Sequence, residues 1–141
     1  MLLGFALLYV GAVLFLNGLW LMGKIDDREI VVINVVSGFV TLCVALASAF
    51  GAAADAASIK SAALTLLFTT TYLWVAYNRV VAVDGRGLGW FSLFVAITVV
   101  PIAIEGLAGA QTFTDTWLGL NWAIWAVLWF MYFLLLALKR P

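Results

Sequence analysis

Long stretches without a charged side chain constrain this chain more than any other feature. The first charged side chain is that of Lys24, and residues 30–54 form a second uncharged run. An α-helix rises about 1.5 Å per residue and a bilayer core is about 30 Å thick, so each run is long enough to cross a membrane. Charged residues make up 10% of the sequence, whereas soluble domains contain about 25%. We therefore expect an all-α membrane protein, a polytopic bundle of transmembrane helices.

Short polar segments divide the sequence into five predicted spans. These spans cover about residues 1–23, 30–54, 61–78, 90–108 and 117–138. Because every loop between them is short, we expect a single transmembrane domain over residues 1–141. The first and third loops and the C-terminal end each carry two Lys or Arg residues, whereas Lys60 is alone on the other side. The positive-inside rule therefore predicts that the N-terminus lies outside.

Composition argues against several classes of function. The chain has seven basic and seven acidic residues, a balance that does not favour a nucleic-acid partner. It contains no histidine and one cysteine, Cys43, which removes the usual general base and a cysteine metal cluster. We also find no carboxylate pair at catalytic spacing and no phosphate-binding loop. We expect no enzymatic activity, no cofactor and no metal, and we interpret Cys43 as a small buried hydrophobic residue.

Polar residues inside the spans are candidates for function, because hydrocarbon penalises polar groups without partners. Asn17 and Asn34 each either face an internal passage or join two helices. The Thr side chains are expected to bond to their own helix. Glu105 lies one turn after Pro101, near the outer end of the fourth span. It is either a functional intramembrane acid or a residue of the external mouth.

Two aromatic rows have helical spacing. The row on the fifth span recurs at steps of three, four and three: Trp122, Trp125, Trp129 and Tyr132. Phe68 and Tyr72 are four residues apart and share a face of the third span. Trp122 fits a membrane-interface position, whereas Trp125 and Trp129 lie deeper. If the two rows face each other, they form a flat slot that admits a small neutral planar molecule such as urea, while ions lose too much hydration to enter.

Four motifs occur in order along essentially the whole chain. They are residues 7–14 followed by Asn17-Gly18, residues 71–73 followed by Asn78, residues 90–97 followed by Pro101, and residues 125–129. In these motifs the chain resembles the urea/amide channel family (AmiS/UreI). The resemblance implies a passive channel for small neutral amides such as urea or acetamide. It also implies six-helix protomers in a hexameric ring in the bacterial inner (cytoplasmic) membrane, each protomer with its own pore.

The resemblance implies pore roles for a set of residues on three spans. They are Asn17, Phe68, Tyr72, Trp122, Trp125, Leu128 and Trp129. All but Leu128 also stand out by polarity or spacing alone.

The sequence departs from the family pattern in two respects. Acid-gated members use histidines in their outer loops, and this chain has none, so we predict a channel that mild acid does not switch. Members of the family have a sixth helix with a pore-facing glutamate, and we find no counterpart of it in residues 1–141. Either the sequence is truncated or the protein is a shorter relative. Without that helix, Glu105, a neighbouring protomer or lipid would have to close the pore. The alternatives to a channel are a proton-coupled amide transporter that uses Glu105 and a non-transporting membrane scaffold subunit.

Overall fold

A computed structural model describes residues 1–139. Over these residues the protein consists of five α-helices and contains no β-strand. They are α1 (Leu2–Leu21), α2 (Ile30–Phe50), α3 (Ala56–Val81), α4 (Arg86–Ala108) and α5 (Phe113–Leu136). Each is long and apolar enough to cross a membrane, which confirms the predicted all-α membrane class. The chain forms two compact units, unit 1 over Met1–Val83 and unit 2 from Asp84 onward.

Three helices begin earlier than the hydropathy pattern predicted. The α3 helix begins at Ala56 because Asp55 caps it: the Asp55 carboxylate accepts from the Ser58 N–H at 2.7 Å, and the Ser58 hydroxyl accepts from the Asp55 N–H at 2.8 Å. A capping box of this kind satisfies two N–H groups that a helix start leaves without partners. Lys60 therefore lies within α3 and not in a loop. A similar box at Thr112 starts α5 four residues before the predicted position, and α4 starts at Arg86.

Three helices end earlier than predicted, the first of them α1, which ends at Leu21 and not at residue 23. The predicted second span reached residue 54, but α2 ends at Phe50 because Gly51 adopts an extended backbone with φ −65° and ψ 159°. The last helix ends at Leu136, two residues before the predicted boundary. By contrast, α3 continues to Val81, beyond the predicted end at 78. Arg79 is therefore a helical residue, and Arg140 lies outside the described residues.

In unit 1, α2 packs against both α1 and α3. The inward face of α2 carries small and polar side chains: Asn34, Ser37, Gly38, Thr41, Val44 and Ala45. Its large apolar residues, such as Val32 and Phe39, are exposed. This arrangement fits a bilayer, where lipid solvates apolar side chains and helices associate through small and polar residues. A Cβ on Gly38 would lie 2.6 Å from the Leu73 side chain, so glycine permits close approach there.

In unit 2, α4 and α5 pack against each other in an antiparallel pair. Gly89 near the start of α4 meets Ala137 just after α5, and Gly119 near the start of α5 meets Leu107 near the end of α4. A Cβ on Gly89 would lie 2.6 Å from the Ala137 backbone nitrogen. Between these close approaches, the rings of Trp90 and Phe133 pack with centroids 5.2 Å apart.

The prediction that Cys43 is buried is wrong. Its side chain is exposed on α2. The exposed residues Phe39 and Leu46 lie four residues before it and three residues after it. These spacings place all three on one face of the helix, opposite the polar inward face. An apolar environment in the sequence therefore did not distinguish an outward position from a buried one.

Candidate functional site

The aromatic row of α3 is buried. Phe68 and Tyr72 are 7% and 2% exposed, and their ring centroids are 6.2 Å apart. The neighbouring Thr69 faces α2, since its hydroxyl donates to the Thr41 hydroxyl at 2.8 Å. Helical geometry places Phe68 and Tyr72 about a quarter of a turn from that α2-facing side. Their burial is therefore on a second face of α3, distinct from the face that contacts α2.

The aromatic row of α5 is also turned inward at its centre. Trp125 and Trp129 are 7% and 5% exposed, whereas Trp122, Leu128 and Tyr132 are half-buried. The rings of Trp122 and Trp125 meet edge to face, with centroids 5.0 Å apart and planes at 84°. This T-shaped contact is a favoured aromatic geometry. It places two of the predicted pore residues side by side on one helix.

Burial of large aromatic side chains is selective in this protein. Among the described residues, the buried aromatic side chains are Phe68, Tyr72, Trp125, Trp129 and Phe133. Phe133 packs against Trp90 of α4, and the other four belong to the predicted passage. A bilayer exerts no hydrophobic pressure to bury such rings, because lipid solvates them as well as the protein interior does. A pore-lining role for these four side chains stays a prediction, and inward burial is the property that it requires.

Asn17 and Asn34 contact each other and join α1 to α2. The Asn34 Nδ2 donates to Asn17 Oδ1 at 2.7 Å, and the Asn17 Nδ2 donates back to Asn34 Oδ1 at 3.2 Å. The Asn34 amide also donates to the Ile30 carbonyl at 2.9 Å. The sequence left two interpretations of these asparagines, a position facing an internal passage and a contact between two helices. The structure shows the contact between helices. A pore role for Asn17 stays a prediction.

A row of hydroxyl groups continues this connection through unit 1. The Ser37 hydroxyl donates to the Tyr9 carbonyl of α1 at 3.2 Å, and the Thr41 hydroxyl donates to the Ser37 carbonyl at 2.8 Å. Thr41 also accepts from Thr69 of α3. The expectation that Thr side chains bond to their own helix is confirmed for Thr65, Thr70, Thr71 and Thr98. Thr69 is the exception, since its shortest hydrogen bond crosses to α2.

Glu105 lies on α4, one turn before the helix ends at Ala108, and its side chain is exposed. The helix continues through Pro101. The adjacent Gly106 approaches Gly119 of α5, so that a Cβ on Gly106 would lie 3.4 Å from the Gly119 Cα. The structure thus places Glu105 next to a close helix contact. Unlike the buried aromatic residues, Glu105 is exposed, and its role in permeation stays a prediction.

A three-residue cluster at the loop end of unit 1 was missed by the sequence analysis. The Trp20 indole N–H donates to Asp27 Oδ1 at 2.7 Å, and Arg79 Nη1 lies 3.3 Å from Asp27 Oδ2. The Arg79 guanidinium carbon lies 5.3 Å from the Trp20 ring centroid, a cation–π distance. The predicted spans, which ended at residues 23 and 78, left Asp27 and Arg79 in the loops that follow them. The available signal was spacing, because Arg79 is seven residues from Tyr72 and shares its helix face.

Comparison with known proteins identifies related transporters. Residues 2–141 match the model of the AmiS/UreI family transporter. The chain is 44% identical to an amidate-substrate transporter protein of Mycolicibacterium smegmatis, covering 96% of this chain and 62% of that protein. It is 34% identical to the acid-activated urea channel of Helicobacter pylori, covering 99% of this chain and 84% of that one. The chain thus spans less than two thirds of the Mycolicibacterium relative.

Solved structures of the Helicobacter pylori urea channel have the same fold. The crystal structure matches with a TM-score of 0.84 and 36% identity, over 100% of this chain and 83% of that chain. A cryo-EM structure of that channel in a closed state matches with a TM-score of 0.85 and 34% identity, over 99% of this chain and 83% of that chain.

Proposed function

This chain belongs to the AmiS/UreI family of transporters, and from that premise we propose that it is a passive channel for small neutral amides. The proposed solutes are urea and short-chain aliphatic amides such as acetamide. The observation that carries the proposal is the selective burial of Phe68, Tyr72, Trp125 and Trp129 in a chain that exposes most of its other large apolar side chains.

The proposed passage is lined by aromatic rings, and its predicted lining residues belong to the aromatic row of α3 and to that of α5. Ring faces offer stacking and only a few hydrogen-bonding groups, which suits a flat neutral solute that gives up part of its hydration. An ion would lose its hydration shell without a compensating charge, at a cost far above thermal energy. Transport would therefore be downhill, with no coupled ion. We expect no enzymatic turnover.

We place the channel in the bacterial inner membrane as a homo-oligomer, with six protomers by family resemblance. Residues 1–141 contain no histidine, the side chain that ordinarily titrates between pH 5 and 8. Permeation is therefore proposed to be independent of mild acidification.

The test is light-scattering stopped flow on proteoliposomes exposed to urea, acetamide and glycerol gradients. Urea permeability should exceed that of protein-free vesicles. Trp129→Ala and Tyr72→Ala should widen the slot and lower the urea-to-glycerol permeability ratio by about tenfold. The matched controls are Trp117→Ala and Tyr77→Ala, which remove the same residue types at exposed positions of the same helices. Equal effects of test and control variants would refute the aromatic slot.

The same vesicles separate the channel from its alternatives. A proton-coupled transporter would respond to an imposed pH gradient and would lose uptake on Glu105→Gln. A channel should be indifferent to the gradient. A scaffold subunit would leave urea permeability at the lipid background.

A further inference from the structure

The loop end of α3 contains two buried polar atoms that the fold leaves without partners. Within residues 1–139, neither Oδ1 of Asn78 nor Nε of Arg79 has a hydrogen-bond partner, although both atoms are buried. Asn78 as a whole is only 2% exposed. Buried polar atoms are nearly always hydrogen-bonded, so this pair is a candidate site for a polar group of a bound molecule.

Arg79 continues the buried face that carries the aromatic row, and the buried Asn78 lies beside it on the adjoining face of α3. Arg79 follows Tyr72 by seven residues and Phe68 by eleven, which are spacings of one helix face. Asn78 follows Val75 by three residues, and Val75 is also buried. At about 1.5 Å per residue, Asn78 and Arg79 lie about 10 Å beyond Tyr72 along α3. A solute that leaves the aromatic row in this direction would reach them next.

Contacts with Asp27 and Trp20 determine which N–H group of Arg79 can still donate a hydrogen bond to a ligand. Its Nη1 is engaged by Asp27 at 3.3 Å, and Trp20 covers the face of its guanidinium group at 5.3 Å. The Nε–H is therefore the buried donor without a partner, on a side chain held by two contacts. Because the Asp27 carboxylate balances the arginine charge, the position favours a neutral dipolar ligand over an anion.

We propose that Asn78 and Arg79 bind the carboxamide group of one solute molecule at the loop end of the passage. The Arg79 Nε–H would donate to the solute carbonyl, and the Asn78 Oδ1 would accept from a solute N–H. An amide or urea carries both complementary groups on one carbon atom, and the hydrogen bond from a guanidinium is a charge-assisted one. This inference rests on the proposed channel function and adds selectivity residues that the aromatic rows do not include.

The experiment measures the urea concentration that half-saturates flux into proteoliposomes. Asn78→Leu removes the acceptor at similar volume, and Arg79→Lys keeps the charge facing Asp27 but removes the Nε–H. Each should raise the half-saturating concentration about fivefold, the loss expected for one hydrogen bond. The matched controls are Asn121→Leu, whose amide bonds to its own helix, and Arg86→Lys, an exposed ion-paired arginine. These should leave the value unchanged.

Two further measurements distinguish solute binding from a structural role. Because both residues hold one molecule, the double variant should raise the half-saturating concentration by less than the product of the single effects. Arg79→Lys should also reduce discrimination between urea and thiourea, whose sulfur is a weaker acceptor. The inference would be overturned if the half-saturating urea concentration were unchanged in both single variants. It would also be overturned if the effects of the two substitutions multiplied in the double variant, or if Arg79→Lys left the discrimination between urea and thiourea unchanged. If wild-type urea flux does not exceed the lipid background, the channel proposal itself fails.

Discussion

The two compact units hold their helices together by different means. In unit 1, side-chain hydrogen bonds cross between helices: the Asn17–Asn34 pair joins α1 to α2, and the Thr41–Thr69 contact joins α2 to α3. In unit 2, the α4–α5 contact rests on glycine at its two ends and on the Trp90–Phe133 ring pair between them. Both are solutions to the same problem, since lipid offers helices no hydrophobic reason to associate.

The difference determines how each unit should respond to substitution. A polar contact in hydrocarbon fails when one partner is left buried without the other. A glycine contact fails when any side chain enters the space between two backbones. Unit 1 should therefore be sensitive to the identity of its polar side chains, in addition to the volume at Gly38. Unit 2 should be sensitive to the volume of the side chains at its glycine positions.

The largest expected effect is that of Gly89→Ala in unit 2. The new methyl group would lie 2.6 Å from the Ala137 backbone nitrogen, so the two helices must separate. The free energy of unfolding should fall by about 1–3 kcal/mol, measured by denaturation in mixed detergent micelles. Gly11→Ala in α1 is the control, because a Cβ there meets nothing within 4 Å. A comparable loss in the control would show that close approach is not the cause.

The next effect is that of Asn34→Leu in unit 1. It leaves the Asn17 amide buried without its partner and should lower the free energy of unfolding by about 1–2 kcal/mol. Adding Asn17→Leu should recover most of the loss, because an apolar pair leaves no polar group unsatisfied. The same denaturation assay measures both variants. A double variant as unstable as the sum of the single losses would contradict the paired-amide account.

A smaller effect is expected for Thr69→Val, which removes the hydroxyl that bonds to Thr41 but preserves shape. Hydrogen bonds between membrane helices contribute about 0.6 kcal/mol on average, and Thr41 retains its own bond to Ser37. Thr70→Val is the control, since Thr70 is exposed and bonds only to the Leu66 carbonyl of its own helix. Denaturation of the two variants side by side should show the larger loss for Thr69.

The smallest effect is a weak dependence of both units on acid. Hydrogen bonds from the Ser58 backbone and side chain lower the pKa of Asp55 below its ordinary value of 3.8. The Arg86 backbone and side chain likewise lower the pKa of Asp84 below 3.8. A carboxyl group with a lowered pKa stabilises the fold fully above its ordinary value, and this contribution is lost as pH falls through the lowered pKa.

This acid dependence can be measured by helical circular dichroism and denaturation between pH 7 and 3. Asp55→Asn and Asp84→Asn should each flatten the decline slightly. A decline centred above pH 5 in wild-type protein would indicate a different titrating group.

Hydropathy and charge predicted the five helices because each span must cover a fixed hydrocarbon thickness. Helix ends were less predictable, since local capping sets them. The Asp55 and Thr112 capping boxes extended α3 and α5 beyond the apolar runs. Polar residues inside the spans marked the contacts of unit 1 in advance, because few polar groups compete for partners there. The close approach at Gly89 was not predictable, since small residues occur in most of the spans.

The candidate site was predictable in its aromatic part only. Regular spacing identified Phe68, Tyr72, Trp125 and Trp129, and each of them is buried. The Asn78–Arg79 pair was missed because the predicted third span stopped at residue 78, which assigned Arg79 to a loop. Exposure of Glu105 also depended on which face of α4 points inward, and the apolar sequence around it gave no indication of that face. For Cys43, the polar residues of α2 could have indicated the outward face.

Arg79 has a consequence for how the protein reaches its final topology. It is one of the basic residues whose distribution predicts the orientation of the chain, an influence exerted while the nascent spans insert. In the folded protein the same guanidinium is covered by Trp20 and neutralised by Asp27. Its charge is thus available to the insertion machinery and headgroups early, and is withdrawn from them once α1 and α3 have met. Replacing Arg79 by a neutral residue would therefore have two separate effects. It would first weaken the signal that orients the chain during membrane insertion, and later remove the contacts with Trp20 and Asp27 in the folded protein.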